Sequence, residues 1–359
     1  MAKRERKEDT QKLSEQVGDK VKNGGTDNVS GFKPYEGNFK QKLISTGSTL
    51  LDLAISGGKA EGGGIPAGIL IEIFGSPSIG KTSMLCEIAG DVRRKKGEAV
   101  FYDPEARLSR EFAQIFDLEL KEDEVRHPNT PDDVFNDMYE WQVEDTSIVN
   151  GLFVDSTAAL ASDLEMENKK DEYSRRGKMF SRGFRQSARI IKENNYIMVC
   201  SNQIRDKMDS GGFGDKTDTP GGWAIKFYAS LRLKAIKQQQ HKLRREINYK
   251  GKKLNKVIGT AITVKVEKSS IWEPFHEAPV YILFDYGIDD IRANLEFTKK
   301  FTGSSIFIAG DTKLKNSMED SITMVEEKEL ENQLKKQVIG IWHEMQQKFK
   351  KERKKKKRE

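Results

Sequence analysis

Ile69-Leu70-Ile71-Glu72-Ile73-Phe74-Gly75-Ser76-Pro77-Ser78-Ile79-Gly80-Lys81-Thr82 is the stretch that decides the fold. Its first six residues form an apolar run broken only by Glu72, which predicts a strand buried on both faces. A Gly-rich turn follows, and from Thr82 to Lys95 the pattern predicts a helix. Gly75 to Thr82 fits the spacing GxxxxGK[ST]. Glycines in such a turn let main-chain N–H groups face phosphate oxygens, and the helix that follows presents the positive end of its dipole. Lys81 then reaches the β- and γ-phosphates, and the Thr82 hydroxyl ligates Mg²⁺. The expected cradle is Gly75, Ser76, Pro77, Ser78, Ile79, Gly80, Lys81, Thr82 and Ser83, with ATP and Mg²⁺ as cofactors.

Outward from this turn, strand and helix patterns alternate. Glu98–Tyr102 reads as strand, Pro131–Val143 as helix, Ile148–Val154 as strand, Tyr173–Asn194 as a long helix and Tyr196–Ser201 as another buried strand. This predicts an α/β fold with a mostly parallel sheet covered on both faces. After Gly222 the strands lengthen. Ala229–Lys237 and Ile258–Glu267 predict a hairpin around a basic stretch, and Tyr281–Phe284 one more strand, so antiparallel strands should close one edge. Near the end, a helix over Val325–Phe349 should bury one face made of Leu330, Leu334, Val338, Ile341, Trp342 and Met345.

Carboxylates recur at the ends of the predicted strands. Asp155 follows Gly-Leu-Phe-Val (151–154), at the strand tip beside the phosphate loop where parallel sheets bind ligands. It is a candidate for the Mg²⁺ shell together with Thr82. Asp103 and Glu105, in Tyr-Asp-Pro-Glu (102–105), both qualify as the base that orients a water at the γ-phosphate. Asn202-Gln203 ends a further buried strand, and the Gln203 amide is suited to sensing the γ-phosphate.

Taken in order, LISTGSTLLDLAI (43–55), GSPSIGKTS (75–83), FYDPEARLS (101–109), FVDSTAAL (153–160), SNQIRDKM (201–208) and GGWAIKFYASLRL (221–233) resemble the RecA family of bacterial and phage recombinases. The resemblance runs from about Leu43 to Phe284. The last two segments carry it most specifically, because generic phosphate-loop ATPases lack them. It implies a RecA-like ATPase core, ATP hydrolysis stimulated by DNA, filaments on single-stranded DNA, and pairing with double-stranded DNA. It implies that Glu105, not Asp103, is the catalytic glutamate, that Gln203 couples ATP to DNA, and that Phe112 stacks on adenine. Phe227 becomes a subunit-interface residue. Lys268 matches the first of two lysines that reach the neighbouring subunit's nucleotide, while Ser270 stands where the second would be.

The resemblance also places two DNA-binding loops, at Glu165–Ser174 and Arg205–Pro220. The second is Gly-rich and charged, with Phe213 as its single aromatic, a composition suited to stacking on bases. Arg205, Lys207, Gly211, Gly212, Phe213, Gly221 and Gly222 are the candidate DNA contacts there. Arg175, Arg176, Lys178, Arg182 and Arg185 are candidates beside the first. Trp223 departs from the family's usual small polar residue.

Of the 359 residues, 36% are hydrophobic and 33% charged, and the net charge is +6. The last twelve residues hold nine Lys/Arg and two Glu, so the excess charge sits in a tail that phosphates attract. No apolar run approaches a membrane span. The charged start, MAKRERKEDTQK, lacks the apolar core of a secretory signal, and the two cysteines, Cys86 and Cys200, suit a reducing compartment. A cytoplasmic location is expected, the host's if the source is viral. The expected organisation is an N-terminal helix and oligomerisation arm over 1–40, the ATPase core over 41–290, a small C-terminal region over 291–347 and a basic tail over 348–359. Partners implied are DNA, further copies of the chain in a helical filament, and a recombination mediator or single-stranded-DNA-binding protein, with no membrane. A hexameric helicase and an ATP-gated coating protein for single-stranded DNA are the competing readings.

Overall fold

The computed structural model describes residues 43–161, 172–206, 217–218 and 223–349. The expected N-terminal arm, the first DNA loop up to residue 171, Lys207, Gly211, Gly212, Phe213, Gly221, Gly222 and the tail beyond 349 lie outside the described residues.

The strands are β1 (Ile69–Gly75), β2 (Ala99–Tyr102), β3 (Val125–Arg126), β4 (Asn150–Val154), β5 (Tyr196–Gln203), β6 (Arg205–Asp206), β7 (Thr217–Asp218), β8 (Leu231–Tyr249), β9 (Lys252–Ser269), β10 (Glu277–Leu283), β11 (Gly287–Ile288), β12 (Ile308–Ala309) and β13 (Thr312–Lys313). Nine of them form one sheet in the order β11-β10-β9-β8-β1-β5-β4-β2-β3. Pairing is parallel from β8 through β1 to β3 and antiparallel from β8 to β11. This is the expected parallel sheet with an antiparallel edge.

The helices are α1 (Thr49–Ser56), α2 (Lys81–Arg94), α3 (Arg110–Gln114), α4 (Pro131–Glu140), α5 (Glu172–Glu193), α6 (Trp223–Tyr228), α7 (Asp290–Thr302), α8 (Met318–Glu327) and α9 (Glu331–Phe349). They cover both faces of the sheet because side chains alternate along a strand. Ile69, Ile71 and Ile73 of β1 join a core with Met84, Leu85, Ile88 and Val92 of α2. Leu70 joins a second core with Val134 and Phe135 of α4 and Phe180 and Phe184 of α5. Each such Leu, Ile or Phe side chain contributes roughly 1.5–3 kcal/mol on burial. Glu72, fully buried in the same strand, is held by Arg232 at 2.5 Å and by the Asn202 amide at 2.9 Å.

Two predicted elements differ. The helix over Val325–Phe349 is broken: α8 ends at Glu327, Glu329 takes a φ of 52°, and α9 begins at Glu331. Leu330 and Leu334 then close a small C-terminal core with Leu295, Phe307 and Val325, while Val338 and Trp342 reach the main core. The basic stretch of the predicted hairpin is not a loop either. β8 and β9 continue through it as a ribbon of 19 and 18 residues and turn at Lys250-Gly251, both with positive φ. Two residues with positive φ suit the tight turn of a twisted hairpin.

Candidate nucleotide and DNA site

β1 ends at Gly75, paired with Gln203 of β5 on one side and Ala235 of β8 on the other. A Cβ at Gly75 would sit 2.6 Å from the Ala235 carbonyl, so only glycine lets the neighbouring strands close here. Gly80 precedes α2 with a φ of 91°, in the left-handed region that glycine adopts without strain. The turn between them borders a cleft of about 450 Å³, which Pro77–Ser83 line together with Asp103, Glu105, Arg107, Phe112, Asp155 and Gln203. Candidates chosen from separate strands therefore meet in one place.

Lys81 is buried, and its ammonium donates to the Gly75 and Ser76 carbonyls at 3.2 and 2.9 Å. Burial lowers its pKa, and the nearby Asp155 carboxylate opposes that shift. The Thr82 hydroxyl donates to Asp155 Oδ2 at 2.5 Å, and the Ser201 hydroxyl donates to Asp155 Oδ1. A hydroxyl and a carboxylate side by side are hard oxygen donors of the kind Mg²⁺ takes, alongside phosphates and water. Among the described residues no cluster of three or more His, Cys, Asp or Glu competes as a metal site. Ser201 and the lining groups Arg107, Thr260, Ile282 and Phe284 were not singled out by the sequence. Only Ser201 carried a usable signal, its place just before Asn202-Gln203.

Asp103 and Glu105 both border the cleft but differ in what they do. Asp103 is buried, and its Oδ2 accepts the N–H groups of Arg107 and Leu108 at 2.7 and 2.8 Å. It shapes the loop that carries Glu105. Glu105 forms an ion pair with the exposed Arg107 guanidinium at 3.2 Å. Phe112 also lines the cleft and packs on Phe116, ring centres 5.4 Å apart.

Lys268 lies elsewhere. It sits opposite Arg232 near the far end of β9, whereas the same strand's contribution to the cleft is Thr260. Its ammonium donates to the Lys226 and Phe227 carbonyls at the end of α6, at 2.9 and 2.8 Å. Burial lowers its pKa, Arg232 lowers it further, and Glu72 opposes both. Ser270 falls one residue beyond β9 and bonds to the Ser230 carbonyl through N–H and hydroxyl, at 2.8 and 3.3 Å. Phe227, on the same helix, is 73% exposed.

The basic residues of α5 divide. Arg175, Lys178, Arg182 and Arg185 are exposed. Arg176 is not on that face: it is 7% exposed and donates to the Leu160 carbonyl at 3.4 Å. It ties α5 to the segment after β4. Arg205 begins β6, directly after the strand that ends in Gln203.

A family profile described as the RecA N-terminal domain matches residues 15–289 of this chain. The chain belongs to the RecA family. Among curated relatives it is similar to Protein RecA of Borrelia hermsii, 30% identical over 306 residues that cover 83% of this chain and 81% of the relative. Protein RecA of Thermus thermophilus is 32% identical over 251 residues, 69% of each chain. Protein RecA of Wolinella succinogenes is 29% identical over 325 residues, 86% of this chain and 85% of the relative. The segments after β4 and β5 leave the sheet from the edge that carries the cleft.

Proposed function

We propose that this RecA-family chain is an ATP-dependent recombinase: it coats single-stranded DNA as a helical filament, hydrolyses ATP when DNA is bound, and pairs the strand with homologous duplex. The observation that carries the reading is the convergence of Lys81, Thr82, Asp155, Glu105 and Gln203 on one cleft in a chain of this family. The donors fit ATP and Mg²⁺. Among the described residues Lys81 bonds only main-chain carbonyls of its own loop, so its charge is available to an anion, and Thr82 with Asp155 offers oxygen to a cation. When bound, Mg²⁺ supplies neutralisation of the charge that gathers on the transferring phosphoryl group.

In this reading the chain's own residues divide the work. Gly75–Ser83 cradles the phosphates, Phe112 stacks on the base, and Glu105 leaves Arg107 to hold the attacking water. Gln203 relays the γ-phosphate to the DNA loop that starts at Arg205. Lys178, Arg182 and Arg185, with Arg175, form a basic approach to DNA; Lys207, Gly211, Gly212, Phe213, Gly221 and Gly222 complete it from the second loop. Lys268 acts on the nucleotide of a neighbouring subunit, in keeping with its distance from the cleft of its own chain. Phe227 packs in that interface. The proposed divisions at 40, 290 and 347, the cytoplasmic location and a loading partner such as a recombination mediator or single-stranded-DNA-binding protein belong to the same reading. Among the described residues no helix is long and apolar enough to cross a membrane.

ATPase assays with and without single-stranded DNA, run beside a strand-exchange assay, test the reading. Stimulation and exchange in the parent chain, both lost in Lys81→Ala, are expected. Stimulation without exchange would leave a DNA-coating ATPase, and rings in negative stain would leave a helicase.

A further inference from the structure

Glu72, Arg232 and Lys268 stand side by side across three adjacent strands. Glu72 of β1 is the register partner of Arg232 of β8, and Arg232 is the partner of Lys268 of β9. Directly opposed residues project to the same face of a sheet, so the three side chains form one row. Asn202 of β5 extends the row on the other side of β1. Its amide donates to Glu72 Oε1 at 2.9 Å, while Arg232 Nε donates to Glu72 Oε2 at 2.5 Å. Asn202 Oδ1 in turn accepts the N–H of Gln203 at 3.0 Å. Polar contacts therefore lead from Gln203, at the nucleotide cleft, to the strand position of Lys268.

The row is deep in the molecule. Glu72 and Asn202 are fully buried, and the Arg232 side chain is 12% exposed, its guanidinium lying over the Phe74 ring at 4.4 Å. Stability gives no reason for such a pair, since well-packed apolar residues of similar volume usually leave a fold as stable or more so. The charges do reach the lysine. Burial lowers the Lys268 pKa, Arg232 lowers it further and Glu72 raises it. Arg232 thus pushes against the ammonium where it rests on the Lys226 and Phe227 carbonyls of α6, and Glu72 damps that push.

We propose that the buried Glu72–Arg232 pair is a positioning device for Lys268, through which the Gln203 end of a subunit's own cleft controls the lysine that serves the neighbouring nucleotide. The proposal rests on the recombinase reading for that neighbour and for the task of Lys268 there. Glu72 and Arg232 touch no substrate; they act through the lysine. To reach another subunit's phosphate, Lys268 has to leave the α6 carbonyls. When Gln203 turns to a γ-phosphate, Asn202 shifts with it and draws Glu72 away from Arg232. The guanidinium, less fully answered, then repels Lys268 from its latch. No proton moves and the sheet keeps its register; only the sharing of one carboxylate changes.

The test uses the full chain with Glu72→Leu and Arg232→Leu combined, with Glu72→Gln, and with Arg232→Lys, each made again on Lys268→Ala. Melting curves, the Kd of a fluorescent, slowly hydrolysed ATP analogue, and ATPase kcat with and without single-stranded DNA are read for each. The leucine pair should melt at or above the parent and bind the analogue equally well, yet turn over about five- to tenfold more slowly on DNA, the span of a modest coupling between sites. Glu72→Gln leaves Arg232 unanswered and should move the other way, raising turnover without DNA by about fivefold. Arg232→Lys keeps the charge and should retain most of the parent's kcat. On Lys268→Ala all three should change kcat by less than about twofold, because nothing is left to position. A folded leucine pair with full turnover on DNA overturns the proposal, leaving the pair a packing unit. Equal losses with and without Lys268 also overturn it, since the pair then acts elsewhere. Analogue binding weakened in step with kcat overturns it in favour of a role in the subunit's own cleft. Should the leucine pair fail to fold, Glu72→Gln decides, and unchanged turnover without DNA overturns the proposal. A parent without DNA-stimulated ATPase refutes the recombinase reading itself, whereas a stimulated parent beside an indifferent leucine pair refutes only the positioning role.

Discussion

Lys268 fastens the end of β9 to the end of α6, its ammonium shared between the main-chain oxygens of Lys226 and Phe227. A cation at a helix C-terminus is a favourable place for charge. The same bond keeps the lysine away from its own nucleotide cleft and sets it beside the exposed Phe227. Contact with a neighbouring subunit at Phe227 would therefore be felt by the lysine.

Lys268→Ala should cut DNA-stimulated ATPase by about tenfold or more, as loss of a charge aimed at a transition state does. Folding should suffer by no more than ~1 kcal/mol, the usual worth of such a cap. Ser270→Lys should raise turnover or lengthen the life of ATP-bound filaments. Full DNA-stimulated activity in Lys268→Ala would end the assignment.

Glu105→Gln should keep nucleotide binding and slow hydrolysis by roughly two orders of magnitude or more, in the range of a lost general base. Asp103→Asn should behave differently. It weakens acceptance from the Arg107 and Leu108 N–H groups, so thermal stability should fall by about 1–2 kcal/mol while some hydrolysis survives. Calorimetry and single-turnover kinetics on the two variants separate the roles. A pair with the pattern reversed would make Asp103 the base.

Asp155→Asn should raise the Mg²⁺ concentration needed for half-maximal ATPase by about tenfold, because it removes a full charge from the proposed shell while Thr82 and Ser201 retain a partner. Titrating Mg²⁺ at saturating ATP reads this out, and an unchanged Mg²⁺ midpoint would exclude Asp155 from the shell.

Asp52, on α1, is fully buried, and desolvation pushes its pKa up to about 6 against the hydrogen bonds it accepts from Ser45 and Thr46. A raised folded pKa means the native state holds the proton more tightly than the unfolded chain. The stabilisation is complete below about pH 4 and fades as pH rises through 6. Relative to Asp52→Asn, the parent should gain on the order of 2–3 kcal/mol between neutral and acid pH. Parallel melting curves for the two proteins across that window would remove the claim.

Much of this was legible in the sequence for one physical reason: a parallel sheet buries its strands on both faces, so β1, β4 and β5 read as continuous apolar runs and their ends mark the cleft. Gly75, Lys81, Asp155 and Gln203 were placed by that logic. The split between Asp103 and Glu105 was not legible in the residues themselves, because it depends on which carboxylate the Arg107 and Leu108 N–H groups reach; only the family resemblance pointed to Glu105. The burial of Arg176 was not legible either, because helical spacing puts it on a basic stretch without showing that its guanidinium reaches the Leu160 carbonyl. The long ribbon escaped because its polar residues carry no alternation of burial. Its strand character comes from pairing across a turn, a contact that composition does not record.

Cys86 and Cys200 lie fully buried on α2 and β5, and desolvation pushes both thiols well above their ordinary pKa. Thiolate is the reactive species, so both sulfurs should be inert to maleimides and disulfide reagents while the fold is closed. The native chain is in effect a silent background for site-specific labelling: a single cysteine introduced at Asn248 on the ribbon should take up a dye alone. Any slow labelling of the unaltered protein would then count the excursions that open its central sheet.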